Sequence, residues 1–412
     1  MHSLRIRGGK PLSGCIRISG AKNAALPVLA AAVCFEDVCR IDNCPNLTDV
    51  DAAMEILAWL GAECTRRGST VTVDPRPVFR REIPGALMEK MRGSVFFLGP
   101  LMARFGRARL TYPGGCPIGA RPVDFHLKGL TAMGARVTDG PELSCRGPLT
   151  GGEVLLPYPS VGATENLILA ALGAKEITVI HNAAREPEIC CLCDFLRSGG
   201  CKITGDGTPT VSVLPGRPRS GHIALIPDRM EAATWLCAGA CAGGSITLDG
   251  ADPVPLAAVT DRLEAMGCRI LKGFRAIRLE AGALFSPGEI TTGPYPAFPT
   301  DAQAPMMAAL LRAKGETVLR ETVFSGRMHH VPFFRAMGGN IELTGSTARI
   351  TGVEHLHGAA VEATDLRAGG ALMAAALAAE GETEITGLKH LLRGYENIGG
   401  KLKALGAECS AV

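Results

Sequence analysis

The sequence predicts an α/β protein of two domains, built from six copies of one hairpin–helix–strand–helix unit, three copies per domain, with helices buried and sheets outside. Three observations carry this. First, a Gly that follows a helix-like segment ending in a small or apolar residue recurs at Gly61, Gly134, Gly199, Gly267, Gly338 and Gly406, at intervals of 65 to 73 residues. The 412-residue chain divides into six at about 69 residues, so these glycines read as left-handed helix stops of one repeated unit. Second, short β-branched, partly alternating runs sit at matching places in the repeat, at 108–113, 176–182, 245–249 and 316–322. Third, Ala-rich runs at 166–172, 304–311 and 371–379 are apolar on nearly every face, which suits burial on all sides rather than one stripe.

Six units are too many for one core, and three per domain gives two lobes of ordinary size. The N-terminal runs at 4–7 and 15–19 look like the hairpin that opens each unit, so the chain start is expected to supply strands to the lobe formed by the last three units. The first lobe then covers 20–228 and the second 1–19 plus 229–412, with the active site expected in a hinged cleft between them. No Pro/Ser/Gly-rich linker separates the lobes.

Composition narrows the function. With 47% apolar, 20% charged and 5% aromatic residues, the chain reads as globular rather than disordered or built to stack single-stranded nucleic acid. The formal charge of +3 lacks the clustered excess of a duplex-binding protein, so no nucleic-acid partner is expected. The opening residues carry no apolar run, and the longest apolar stretch, 24–35, falls short of the ~18 residues that span a bilayer. A cytoplasmic protein without a membrane partner is expected. Its 15 cysteines, odd in number and scattered, read as reduced thiols that mostly fill the core. The Cys190-x-x-Cys193 pair has no second pair at zinc spacing, so no metal is expected. Motifs for nucleotide hydrolysis, dinucleotide binding, α/β-hydrolase or zincin chemistry are missing, and no cofactor is expected.

Polar residues gather where the six buried helices begin: 19–23, 91–94, 160–166, 227–229, 299–301 and 364–367. Ser160, Thr300 and Thr364 are expected as N-caps. Capping does not account for Lys22, Arg92 or Arg229, because a cation at a helix N-terminus opposes the macrodipole. A shared anionic ligand would offset that cost. The densest cluster is Tyr112-Pro-Gly-Gly-Cys116-Pro-Ile-Gly-Ala-Arg121-Pro-Val-Asp124-Phe-His126, between a strand and a helix. Gly residues flank Cys116, and Arg121 would favour its thiolate, so this thiol is read as reactive. His126 is read as a packing or solvent-facing residue of the following helix.

These residues, with Ser19-Gly-Ala-Lys-Asn-Ala-Ala-Leu-Pro27, Ser160-Val-Gly-Ala-Thr164, Asn182-Ala-Ala-Arg-Glu-Pro-Glu188, Phe298-Pro-Thr-Asp301 and Arg393-Gly-Tyr-Glu396, resemble the UDP-N-acetylglucosamine 1-carboxyvinyltransferase family over the whole chain. The resemblance implies a two-lobed inside-out α/β barrel. It also implies transfer of the enolpyruvyl group of phosphoenolpyruvate to the 3′-hydroxyl of UDP-N-acetylglucosamine, the first committed step of peptidoglycan synthesis, with fosfomycin as an inhibitor. Lys22, Arg121 and Arg393 would hold phosphoenolpyruvate, with Arg92 helping on closure. Cys116 would protonate the methylene carbon and form an adduct with phosphoenolpyruvate, and Asp301 would take the hydroxyl proton. The nucleotide sugar would meet Asn23, Arg92, Arg121, Pro122, Val123, Asp124, Phe125, Ser160, Val161, Gly162, Asp301 and Val323.

Three positions depart from the family pattern. Tyr158 puts one uridine-side contact in question, while Gly326 and Leu392 are expected to loosen the surroundings of Arg327 and Arg393. The same residues leave two alternatives: a 5-enolpyruvylshikimate-3-phosphate synthase, which lacks the Cys loop, and a non-catalytic nucleotide-sugar-binding paralogue, against which the set Lys22, Cys116, Asp301 and Arg393 argues.

Overall fold

A computed structural model describes residues 3–114 and 123–411. They separate into two compact units, 3–19 with 227–411 and 20–114 with 123–226. Each unit holds three four-stranded sheets among the described residues and its own apolar core.

The buried helices of one unit are Lys22–Ala31, Leu98–Phe105 and Val161–Ala171, and of the other Arg229–Ala242, Gln303–Leu310 and Leu366–Ala378. All 13 residues of Leu366–Ala378 and all eight of Gln303–Leu310 are buried. Alanine makes this possible, because small side chains let three helices and the overlying sheets approach one another from every direction. The strands outside show the alternation of a half-covered sheet, as in Glu316–Arg320 and Ala276–Glu280.

The repeated unit carries one more strand than the sequence predicts. In four of the six sheets a strand that precedes a buried helix pairs in parallel with the strand that follows the same helix, as Gly152–Leu155 does with Thr178–His181. In the other two the leading strands are exchanged, Leu12–Arg17 pairing with Gly244–Asp249 and Gly221–Ala224 with Cys39–Asp42, and in every sheet the remaining two strands pair antiparallel. Five of these leading strands, Glu82–Ile83, Gly152–Leu155, Gly221–Ala224, Glu289–Thr291 and Ala360–Glu362, are two to four residues long, too short for a period of two to show.

The N-terminal strands differ from expectation in the same way. Ser3–Arg7 and Leu12–Arg17 do not form a hairpin with each other. Ser3–Arg7 lies between Glu382–Thr386 and Glu408–Ala411, whereas Leu12–Arg17 leads the sheet of Gly244–Asp249. The connection between them is tied down by Gly8 N–H to Gly381 O (3.2 Å) and Gly9 N–H to Leu377 O (3.1 Å).

Five of the six repeat glycines take positive φ: Gly61, Gly134, Gly267, Gly338 and Gly406. In the third repeat Gly200 does so (φ +97), and Gly199 does not. Gly199 is needed for a different reason: a Cβ there would come within 2.6 Å of Pro218 and 2.7 Å of Phe35.

The caps also need correction. Ser160 does accept a hydrogen bond from Ala163 N–H (3.4 Å), but Thr300 and Thr364 cap nothing. Asp228 and Asp365 cap their helices, accepting from Met230 and Glu231 and from Arg367 and Ala368. A carboxylate matches the positive helix end better than a hydroxyl does. Thr300 Oγ1 is engaged elsewhere, and Thr364 Oγ1 is buried without a partner among the described residues.

Candidate active site

In the unit 20–226 the site residues collect where its three buried helices begin. Lys22 opens the first, and its ammonium, 12% exposed, lies 3.3 Å from Asp49 Oδ2. Asn23 follows it, half-buried. Arg92 opens the 3₁₀ turn Arg92–Phe97 that leads into the second helix. Ser160 caps the third, so Val161 and Gly162 lie in a first turn whose N–H groups have no intrahelical acceptor.

His126 ties these starts together. It is buried in the helix Asp124–Ala132, with Nδ1 2.9 Å from Asn166 Nδ2, so Nδ1 accepts and the ring is neutral with its proton on Nε2. Burial, reinforced by the charge of Arg92, pushes its pKa down to about 4. A Cβ on Gly162 would stand 3.3 Å from His126 Cε1, so the glycine keeps the first helical turn close to the ring. The packing reading of His126 fits, the solvent-facing one does not. Val123 is buried, Phe125 packs on the core, and Asp124 pairs with Lys128 through Oδ2 (3.1 Å). Its Oδ1 is buried with no partner among the described residues.

The unit 3–19 with 227–411 has a matching cluster. Asp301 accepts two ion pairs, from Arg327 Nη2 to Oδ1 and from Arg367 Nη2 to Oδ2, both 2.8 Å. Burial pushes its carboxyl up, but Arg367 and Arg327 together outweigh that and hold Asp301 well below the usual carboxylate range. Burial likewise disfavours the charge of Arg367, yet Asp301, Tyr395 and Asp228 raise its pKa above the ordinary arginine value. Tyr395 is buried, and its hydroxyl lies 2.9 Å from Thr234 Oγ1. Arg229 stacks 5.5 Å from the ring of Tyr295, and Arg393 is half-buried beside His390. Val323 is half-buried, and its N–H donates to Glu321 Oε1 (2.8 Å).

Cys116, Arg121 and Pro122 lie outside the described residues. Ten of the fourteen described cysteines are buried, and none of the fourteen forms a disulfide. Burial pushes Cys190 and Cys191 up to about 11 and raises Cys193 well above the ordinary thiol value, which suits packing and not nucleophilic chemistry. No group of three potential metal ligands occurs among the described residues, nor a helix long and apolar enough to cross a membrane.

Several members of these clusters escaped the sequence reading. Asp49 is a buried acid in the first turn of Thr48–Leu60, and an acidic residue on the apolar face of an amphipathic helix was the available signal. Arg367 stood in plain view after the capping Asp365, but nothing local pointed it at Asp301. The pairing of Lys401 with the buried Glu231 joins residues 170 positions apart and has no local signal. Opposite Gly326, Arg327 remains firmly held: Nη1 donates to Thr300 Oγ1 (2.8 Å), Nη2 to Asp301, and the guanidinium lies 5.1 Å from the ring of Phe324. Its Nε is buried with no partner among the described residues.

Comparison with known proteins agrees with this architecture. The family model described as EPSP synthase (3-phosphoshikimate 1-carboxyvinyltransferase) matches residues 6–402. A UDP-N-acetylglucosamine 1-carboxyvinyltransferase of Desulfosudis oleivorans is 43% identical, covering 100% of both chains, and one of Synechocystis sp. is 45% identical, covering 99% of this chain and 95% of its own. Among solved structures, the enolpyruvyl transferase NikO from Streptomyces tendae superposes with a TM-score of 0.89 at 27% identity, over 99% of this chain and 98% of its own. An EPSP synthase from Acinetobacter baumannii shares the fold, with a TM-score of 0.75 at 19% identity over the full length of both. With repeat, topology and full-length similarity in agreement, the chain belongs to the carboxyvinyltransferase (enolpyruvyl transferase) family, among the UDP-N-acetylglucosamine 1-carboxyvinyltransferases.

Proposed function

We propose that the protein transfers the enolpyruvyl group of phosphoenolpyruvate to the 3′-hydroxyl of UDP-N-acetylglucosamine and releases phosphate, the first committed step of peptidoglycan synthesis, in the cytoplasm. The observation that carries this is identity of 43–45% over essentially the whole chain with relatives of that name.

Lys22, Arg121 and Arg393 neutralise the phosphate and carboxylate of phosphoenolpyruvate, with Arg92 joining them, since a dense anion requires several charge-assisted donors. The first-turn N–H groups of Val161 and Gly162, with Ser160 and Asn23, suit the diphosphate end of the sugar nucleotide. The segment Arg121, Pro122, Val123, Asp124 and Phe125 receives the uridine, where Asp124 Oδ1, without a partner among the described residues, supplies an acceptor for the base imide. Val323 borders the sugar.

The reaction is addition followed by elimination. The sugar oxygen bonds to C2 of phosphoenolpyruvate as Cys116 delivers a proton to C3, giving a tetrahedral intermediate. Return of a C3 proton to the Cys116 thiolate and cleavage of the C2–OP bond, whose electron pair leaves with the phosphate, then release phosphate. Asp301 receives the hydroxyl hydrogen bond. Each of its oxygens is used once by an arginine, which leaves lone pairs for the hydroxyl, and the two cations keep it an acceptor. A residue held so far below the usual carboxylate range is a weak base in this arrangement. Proton uptake in the transition state therefore needs the arginine grip to slacken as charge moves.

The test is phosphate release that requires both phosphoenolpyruvate and UDP-N-acetylglucosamine. No release with both present, or equal release with shikimate 3-phosphate as sole acceptor, would sink this reading.

A further inference from the structure

Glu321 follows the strand Glu316–Arg320 and is 5% exposed. The sequence places 321–322 in that strand, but the strand ends at Arg320 and the Glu321 side chain turns back on its own backbone. Oε1 accepts the hydroxyl of Thr292 (3.0 Å) and the N–H groups of Val323 (2.8 Å) and Phe324 (3.0 Å). Oε2 accepts the hydroxyl of Thr300 (2.8 Å).

Thr300 Oγ1 is in turn the acceptor for Arg327 Nη1 (2.8 Å), and Arg327 Nη2 grips Asp301 Oδ1 (2.8 Å). A hydroxyl has one hydrogen. A guanidinium only donates, so the Thr300 hydrogen must point at Glu321, and the direction of each bond in the chain Asp301–Arg327–Thr300–Glu321 is set. Fastening the turn at 323–324 requires only Oε1. The second oxygen extends the link to the clamp on Asp301, which a purely local staple would not do.

We propose that Glu321 is a positioning residue for the transfer reaction. Through one oxygen it sets the backbone at Val323, where the sugar is bordered. Through the other it holds the Thr300–Arg327 pair that orients Asp301 toward the acceptor hydroxyl. This rests on the roles given above to Val323 and Asp301.

Two variants separate the functions. Thr300→Val cuts the path to Arg327 and leaves Oε1 on the turn. Its kcat should fall about ten-fold while KM for UDP-N-acetylglucosamine stays within about two-fold. Glu321→Gln presents an amide to Thr300 and weakens the turn as well, so kcat should fall and KM for UDP-N-acetylglucosamine should rise, each about ten-fold, with KM for phosphoenolpyruvate unchanged. That split between substrates is what a general loss of stability would not produce. Unchanged kcat in Thr300→Val, or equal changes in both KM values in Glu321→Gln, overturns the inference. If Glu321→Gln fails to fold, Thr300→Val decides alone. Wild-type protein that turns over normally alongside an unaffected Thr300→Val refutes only this inference, whereas wild-type protein that releases no phosphate refutes the functional reading and this inference with it.

Discussion

Arg367 Nη2 lies 2.8 Å from Asp301 Oδ2, so a cation in the first turn of one buried helix grips a carboxylate just before the start of another. Asp301→Asn should lower kcat about a hundred- to ten-thousand-fold if the carboxylate receives the hydroxyl proton. Single-turnover phosphate release measures this, and a variant that loses stability yet keeps kcat would show that Asp301 only neutralises its arginines.

The same pair makes stability depend on acid. The folded-state pKa of Asp301 is depressed, whereas the unfolded chain protonates it near about 3.9. Its stabilisation is therefore fully present above about pH 4 and is lost as pH falls toward the folded value. Urea unfolding between pH 2 and 5 should show a shallower loss in Asp301→Asn than in the wild type; an equal slope would mean other carboxylates carry the effect.

His126 and His330 act on a different window. Burial holds both at about 4, so between about 6.5 and 4 the unfolded chain binds protons that the folded state refuses. The folded state should lose stability as pH falls through that range. His126→Gln should flatten part of the slope, and an imidazole seen by NMR to titrate near pH 6.5 would contradict its neutral, buried state.

Lys22 is held 3.3 Å from Asp49 beside the first turn of its helix. Lys22→Ala should reduce kcat/KM for phosphoenolpyruvate by at least about a hundred-fold, and Asp49→Asn by about ten-fold through loss of positioning, as expected for bonds to charged groups. An Asp49→Asn variant that changed only KM for the sugar nucleotide would reassign the pair.

Fosfomycin should label one thiol. The family resemblance makes Cys116 the expected target, whereas burial raises Cys237 and Cys34 beyond ordinary reactivity and pushes Cys241 up to about 12. Intact-mass analysis should find one adduct in the wild type and none in Cys116→Ala; an adduct that persists would refute the assignment.

The six-fold repeat was legible because it is written in local chemistry: Gly61, Gly134 and Gly267 stop helices through their own backbone freedom, and the faces of 371–379 show their burial in composition alone. Lys22, Asp301 and the Cys116 loop were legible for the same reason, as charged or reactive residues in short motifs. What stayed hidden was whatever depends on partners far away in sequence. Gly200, not Gly199, takes the left-handed position, and Gly199 is kept a glycine by Pro218 and Phe35, which come near only through the fold. Thr300 left its capping position because Arg327 and Glu321 claim its hydroxyl. The sequence by itself determined that the chain is a repeat of buried helices under sheets and which residue types gather at the helix starts. Only the tertiary structure decided which of those charges neutralise one another, since an ion pair such as Asp301–Arg367 spans 66 residues and forms where helix packing brings its two ends within hydrogen-bond distance.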